Sequence, residues 1–264
     1  MGKYSNIFLM DLRFQEKDVA DNLFGFQEHM AKIIEKALKK GDPLVRMNQF
    51  VNWELFRSDL EAARENARAH ERKSNAGRPA TDVILLFKMC VIQSLYNLSD
   101  EGIEQHCMWN SLFLWFLGLN FGDDVPDANT LWVFRETLAK DDATKTIFLR
   151  FDAYLRENGY EARGGQIIDA TIVPVPVRRD SREVNEKVKN GEADSVTEWS
   201  EATRRQKDVD ARWVKKNGKS TFGDKNHVSV DVENKFVREY KVTSASVHDS
   251  QVYDDLITAN EFSE

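Results

Sequence analysis

At Gly164 the hydrophobic period of this chain changes from helical to two, and that change divides what the sequence can fold into. Upstream, from about residue 41 to 158, apolar residues recur three and four apart. Downstream, GGQIIDATIVPVP (residues 164 to 176) is a β-branched run that reads as a strand buried on both faces. Pro174 and Pro176, which cannot donate to a central ladder, stop it. The run carries one carboxylate, Asp169, with no basic residue beside it. A buried carboxylate shifts its pKa, finds a partner from elsewhere in the chain, or holds a metal ion. At a strand end, satisfaction by loop amides and coordination of a hard cation such as Mg²⁺ both fit the position.

The helical block is punctuated by recognisable start and stop signals. An amphipathic helix around Gln27 to Lys40 ends at Gly41-Asp42-Pro43, after an arm with Phe8, Phe14, Phe24 and Phe26. Val51, Leu55, Phe56, Leu60 and Ala63 lie along one helical face of the next segment, and KSNAGRPATD then reads as a loop. Thr81 is placed to cap the apolar helix from Val83 to Tyr96, Ser99 opens another, Gly118 ends a third and Asp127 starts a fourth. The Val83 to Tyr96 helix is interrupted by Lys88 and Gln93 and is shorter than the roughly 20 apolar residues of a membrane span, so it reads as core. With no signal-like N-terminus, a cytoplasmic protein without a membrane partner is expected. Cys90 and Cys107 have no metal-ligand spacing and read as core thiols.

Past the strand, Arg178 to Ser220 is charged and weakly periodic, an insertion rather than part of a sheet. The segment around His227 to Val242 then reads as a hairpin turning at Glu233-Asn234-Lys235, followed by a helix after SVHDS. Lys225, His227 and Asp231 alternate onto one face, Val228, Val230 and Val232 onto the other; a half-exposed polar face is the plain expectation. Asp249 can cap the helix that follows or add a second acidic group near the strand ends. The formal net charge of −7 argues against a nucleic-acid partner, but its distribution does not. Between Arg204 and Lys225, cations including Arg212, Lys215, Lys216 and Lys219 outnumber the acids Asp208, Asp210 and Asp224. No glycine-rich phosphate loop, HExxH or Ser/His/Asp order is present.

These motifs occur in one order: GRPATDVILLFKMCVIQSLYNLSDEGIEQH, FLWFLGLNFGDDVPDANTLWVFRETL, GGQIIDATIVPVP, DVDARWVKKNGKSTFGDKNHVSVDVE and VTSASVHDS. From about Gly77 onward the chain resembles bacterial insertion-sequence transposases of the DDE class. The resemblance implies an α + α/β chain: an N-terminal arm over 1–40, a helical DNA-binding domain over 41–158, and a partial ribonuclease-H-like domain over 159–264 with a charged insertion at about 178–220 after its first strand. Asp169 is implied as catalytic residue and ligand of Mg²⁺ or Mn²⁺, with Asp249 and Asp231 as possible further acids. Arg212, Lys215, Lys216, Lys219, Lys225 and His227 are implied to lie against double-stranded DNA at transposon ends and target, with a homo-oligomer assembling on that DNA. Arg135, with Asn129 and Thr130, stands near the start of a candidate groove-reading helix.

The family implies strand cleavage and strand transfer through two metal ions, with no covalent protein intermediate. Its second Asp and its Glu are expected beyond Glu264, so the chain reads as catalytically incomplete. The alternatives are a non-catalytic DNA-binding regulator of transposition and, with less support, a general ribonuclease-H-like nuclease. One departure stands out: Asp224 occupies the middle of Gly223-Asp224-Lys225, where the family commonly has Gly-Tyr-Lys.

Overall fold

A computed structural model describes residues 28, 30–69, 79–140, 142–160, 165–177, 179–216 and 218–257. The N-terminal aromatics Phe8, Phe14, Phe24 and Phe26 lie outside the described residues, as does most of the KSNAGRPATD loop. The chain divides into two compact units between Ala153 and Tyr154, one helical and one α+β.

The first unit is helical: α1 (residues 30–39), α2 (Pro43–Phe50), α3 (Arg57–Ala69), α4 (Val83–Tyr96), α5 (Asp100–Trp109), α6 (Ser111–Leu117), α7 (Ala128–Lys140) and α8 (Ala143–Glu157). Short polar side chains start them by taking the unpaired N–H groups of a first turn. Asp42 Oδ1 accepts from Leu44 N at 2.9 Å, Ser99 Oγ from Gly102 N at 3.0 Å, and Asp127 Oδ1 from Thr130 N at 2.6 Å. The cap of α4 is Asp82, one residue after Thr81, because its carboxylate reaches both Ile84 N (2.8 Å) and Leu85 N (3.1 Å). The core joins Phe56, Leu60, Ala63, Val83, Leu86, Met89, Ile92, Ile103, Cys107, Phe116, Leu131 and Phe134. No single helix among the described residues is long and apolar enough to cross a membrane. Burial pushes the Cys90 and Cys107 thiols up to about 12, as suits core residues.

The second unit is a sheet with a small helical insertion. Strands β1 (Gln166–Pro174), β2 (Arg212–Lys216), β3 (Lys219–Asp231) and β4 (Val237–Ser244) pair antiparallel, with β3 in contact with each of the others. The insertion between β1 and β2 has structure of its own: α9 (Arg182–Lys189), a 3₁₀ turn (Ala193–Ser195) and α10 (Glu201–Arg205) close over Val184, Val188, Val196 and Trp199. It ends before β2, so the range read as insertion, 178–220, includes a true strand and the start of another. The missed strand is short and lysine-rich, and its pairing with β3 supplies what its own pattern lacks. After β4, a 3₁₀ turn (Asp249–Gln251) and α11 (Tyr253–Leu256) fold back on the sheet.

Gly223 sits where β1, β2 and β4 part company along β3. A Cβ there would lie 2.0 Å from the Val173 carbonyl oxygen, so only glycine lets β1 and β3 run this close. Beyond it, β2 and the start of β3 continue as a two-stranded ribbon in which Lys216 pairs with Lys219, with Gly218 at φ +80° between the strands.

Candidate functional site

Directly paired residues of antiparallel strands share a face, and the β1–β3 register therefore sorts the candidates. Asp169 pairs with Val228, Thr171 with Asn226 and Ile167 with Val230. Ala170 pairs with His227, Ile172 with Lys225, Ile168 with Ser229 and Gln166 with Asp231. Asp169 thus stands on one face of the sheet, and Lys225, His227 and Asp231 on the other. The register therefore puts Asp231, named as a possible further acid, on the face opposite Asp169.

Burial reverses a second expectation. The polar face is the covered one: His227 is 1% exposed, Ser229 and Asp231 0%, and Gln166 on the same face donates to Leu256 O. Its polar groups are paired inside. Lys225 Nζ donates to Val247 O at 2.6 Å and to Asp249 Oδ1 at 2.9 Å. His227 Nε2 lies 2.9 Å from Thr243 Oγ1, while Ser229 Oγ meets Gln166 Nε2. Asp231 accepts from Asn234 N at 2.6 Å and from Arg238, closing the β3–β4 turn. The Lys225 contact holds the Asp249 carboxyl below its ordinary value, and burial does the same to the His227 imidazole against the pull of Asp249. Asp249 is thus bonded to Lys225 and lies 4.0 Å from His227, while Asp231 is held by Asn234 and Arg238, and the Lys225 and His227 side chains are largely buried.

Asp169 is exposed, which corrects the reading of β1 as buried on both faces. It shares its face with exposed Ile167, Thr171 and Val173, and its Oδ1 accepts from Ala170 N at 2.8 Å. No desolvation penalty needs a metal to offset it. On the same face, Asn226 Oδ1 is buried without a hydrogen-bond partner among the described residues. Sequence reading passed over that oxygen; the signal for it was the Asn of the Lys-Asn-His run. Among the described residues no group of three or more His, Cys, Asp or Glu is arranged to hold a metal ion. The described residues alone do not fit a DDE metal centre, which needs several oxygen ligands.

The basic segment also divides. Arg204 donates to Ala193 O and Val196 O, Lys207 pairs with Asp180 and sits 4.9 Å from the Trp199 ring centroid, and Arg212 donates to Val209 O at 2.7 Å and Ala211 O at 3.0 Å. Each fastens the insertion to itself or to the sheet, so Arg212 leaves the group of outward cations. Lys215, Lys216 and Lys219 are exposed on the ribbon and have no ion-pair partner among the described residues. At the ribbon root, Asp224 hydrogen-bonds Asp208; burial first, then that contact and the nearby Asp208 and Asp210 charges, raise it to about 6 against the pull of Arg212.

In the helical unit, Arg135 does not reach out from α7. Its Nη1 and Nη2 lie 2.7 and 3.0 Å from the two Asp100 oxygens, and it also bonds Gln93. These contacts tie α7 to α4 and α5. What α7 exposes instead is Asn129, Trp132 and Val133. Leu131, Phe134 and Leu138 face the core.

Comparison with known families adds two matches. Residues 32–137 match a family described as Transposase domain (DUF772), and residues 160–263 match one described as Transposase DDE domain. No solved structure matches the chain.

Proposed function

Because the chain belongs to the insertion-sequence transposases of the DDE class, we propose that it binds the ends of an insertion sequence as double-stranded DNA and that Asp169 is one carboxylate of the set that holds the catalytic divalent metal. The observation that carries this reading is the exposed position of Asp169 on the open face of β1, within the segment matched to the transposase DDE domain. The antiparallel β1, β3 and β4 strands, with Asp169 on the first, support reading this unit as the opening of a ribonuclease-H-like sheet. The chain's own part is narrower: Asp169 presents an oxygen ligand toward solvent, and the free lysines of the ribbon attract phosphate. A metal centre would need further oxygen ligands beside Asp169, and assembly of several copies on DNA would be the setting for catalysis.

A second reading, a DNA-binding regulator without cleavage activity, is favoured by the absence of any metal-holding cluster among the described residues. A single experiment separates the two. The chain and Asp169→Asn are assayed on a pre-nicked element end in Mn²⁺ for both binding and strand cleavage. Metal-dependent cleavage lost in Asp169→Asn supports the transposase reading, and end-specific binding with no cleavage supports the regulator. Absence of binding would sink both.

A further inference from the structure

The ribbon formed by β2 and the start of β3 differs from the rest of the second unit in charge, pairing and shape. From Ala211 to Gly223 it carries Arg212, Lys215, Lys216 and Lys219 and no acid, on a chain whose formal net charge is −7. Its register sets Trp213 opposite Phe222, Lys215 opposite Ser220 and Lys216 opposite Lys219. Trp213, Lys215, Ser220 and Phe222 therefore share one face, the other face carrying Val214 and Thr221.

Trp213 is the anomaly on that face. Its ring rests against Phe222 at 5.5 Å between centroids, yet 56% of the residue remains exposed while Phe222 is buried. A large aromatic ring braced on its inner side and open on its outer side is rigid before any partner arrives, so little side-chain entropy is lost on contact. Lys215 and Ser220, both exposed, extend the same face toward the tip. Five-residue β2 at about 3.3 Å per residue gives a ribbon roughly 17 Å long, and two strands about 4.8 Å apart fit the roughly 12 Å width of a DNA major groove.

We propose that this ribbon is a groove-reading arm: the Trp213, Lys215 and Ser220 face enters the major groove of duplex DNA, while Lys216 and Lys219 hold phosphates beside the turn. The proposal rests on the reading of this chain as DNA-binding and assigns that binding to a surface and its parts. The chemistry of each residue suits its place. An indole edge contacts thymine methyl groups, a lysine reaches guanine O6 and N7, and a hydroxyl pairs with either kind of base edge. Lysines at a solvent-exposed turn displace counterions without reading sequence.

The test uses the full chain and a short mixed-sequence duplex, prepared unmodified and with its cytosines replaced by glucosylated hydroxymethylcytosine, which fills the major groove and leaves the phosphates alone. The chain should bind the glucosylated duplex about tenfold or more weakly. Lys216→Ala with Lys219→Ala should lower the log-log salt slope by about two units and preserve that discrimination. Trp213→Ala should remove most of the discrimination with the slope unchanged, and Trp213→Phe should retain it. Ser220→Glu, at an exposed position the fold tolerates, should weaken binding to the unmodified duplex; melting curves identify any variant that fails to fold. Equal affinity for the two duplexes, with the slope still responding to the lysines, would overturn groove entry and leave DNA binding standing. A slope indifferent to Lys216 and Lys219 would overturn the DNA reading of the ribbon itself.

Discussion

Asp169 and His227 occupy opposite faces of one sheet: Asp169 pairs with Val228 on the open side, and His227 pairs with Ala170 on the side where Gln166 bonds Leu256 O and His227 approaches Asp249. Their separation assigns different work to motifs that sit close together in the fold. The open face leaves Asp169 in solvent, and the closed face holds the unit together.

Lys225 is the test of that division. Its side chain is 11% exposed and bonds Val247 O and Asp249. Lys225→Met should destabilise the chain by about 1–3 kcal/mol, since it strands a carbonyl and a carboxylate of the turn after β4. The salt slope of DNA binding should not change. Urea denaturation alongside the binding assay reads both, and a reduced slope in a stably folded variant would return Lys225 to the DNA surface.

Asp224 should make stability depend on pH in an unusual direction. Its folded-state value of about 6 lies above the ordinary 3.8, so the proton is held more tightly folded than unfolded. Its contribution is most favourable below about 3.8 and is lost as pH rises through 6. Asp224→Asn should remove this loss and stabilise the chain above pH 6 by on the order of 1 kcal/mol after solvent screening. Denaturation curves at several pH values between 4 and 8 check it; a variant parallel to the parent across that range would count against the Asp208–Asp224 contact.

For Asp169, exposure sets the expectation. Asp169→Asn should change stability by no more than about 0.5 kcal/mol, because Asp169 is exposed and makes no ion pair among the described residues. With one carboxylate at hand, Mg²⁺ titrated into the parent chain should bind in the millimolar range or weaker. Calorimetric titration showing tight binding would mean that further ligands join Asp169.

Arg135 is expected to matter for folding of the helical unit rather than for DNA. Its bidentate contact with Asp100, on a partly exposed pair, and its bond to Gln93 connect helices distant in sequence. Arg135→Lys cannot reproduce the fork and should cost about 1–2 kcal/mol. An unchanged melting temperature with weakened DNA binding would reverse the assignment.

The sequence by itself determined where the helical block gives way to the sheet, because a helical period and a period of two are local properties of the chain. Ser99 and Asp127 were legible as caps for the same reason: their hydrogen bonds close within three residues. It also determined that Asp169 and Val228 alternate with their neighbours along their strands. Tertiary structure alone decided which face is covered. Alternation separates two faces without ranking them, and valine against histidine would rank them wrongly here. His227 is buried because Thr243 and Asp249 reach it from the strand and turn that follow, partners that no local pattern announces. Among the cations the same physics applies. Arg212 and Lys225 are the same kinds of residue as Lys216 and Lys219, and only the carbonyls and carboxylates brought to them by folding consume the first pair and leave the second facing solvent.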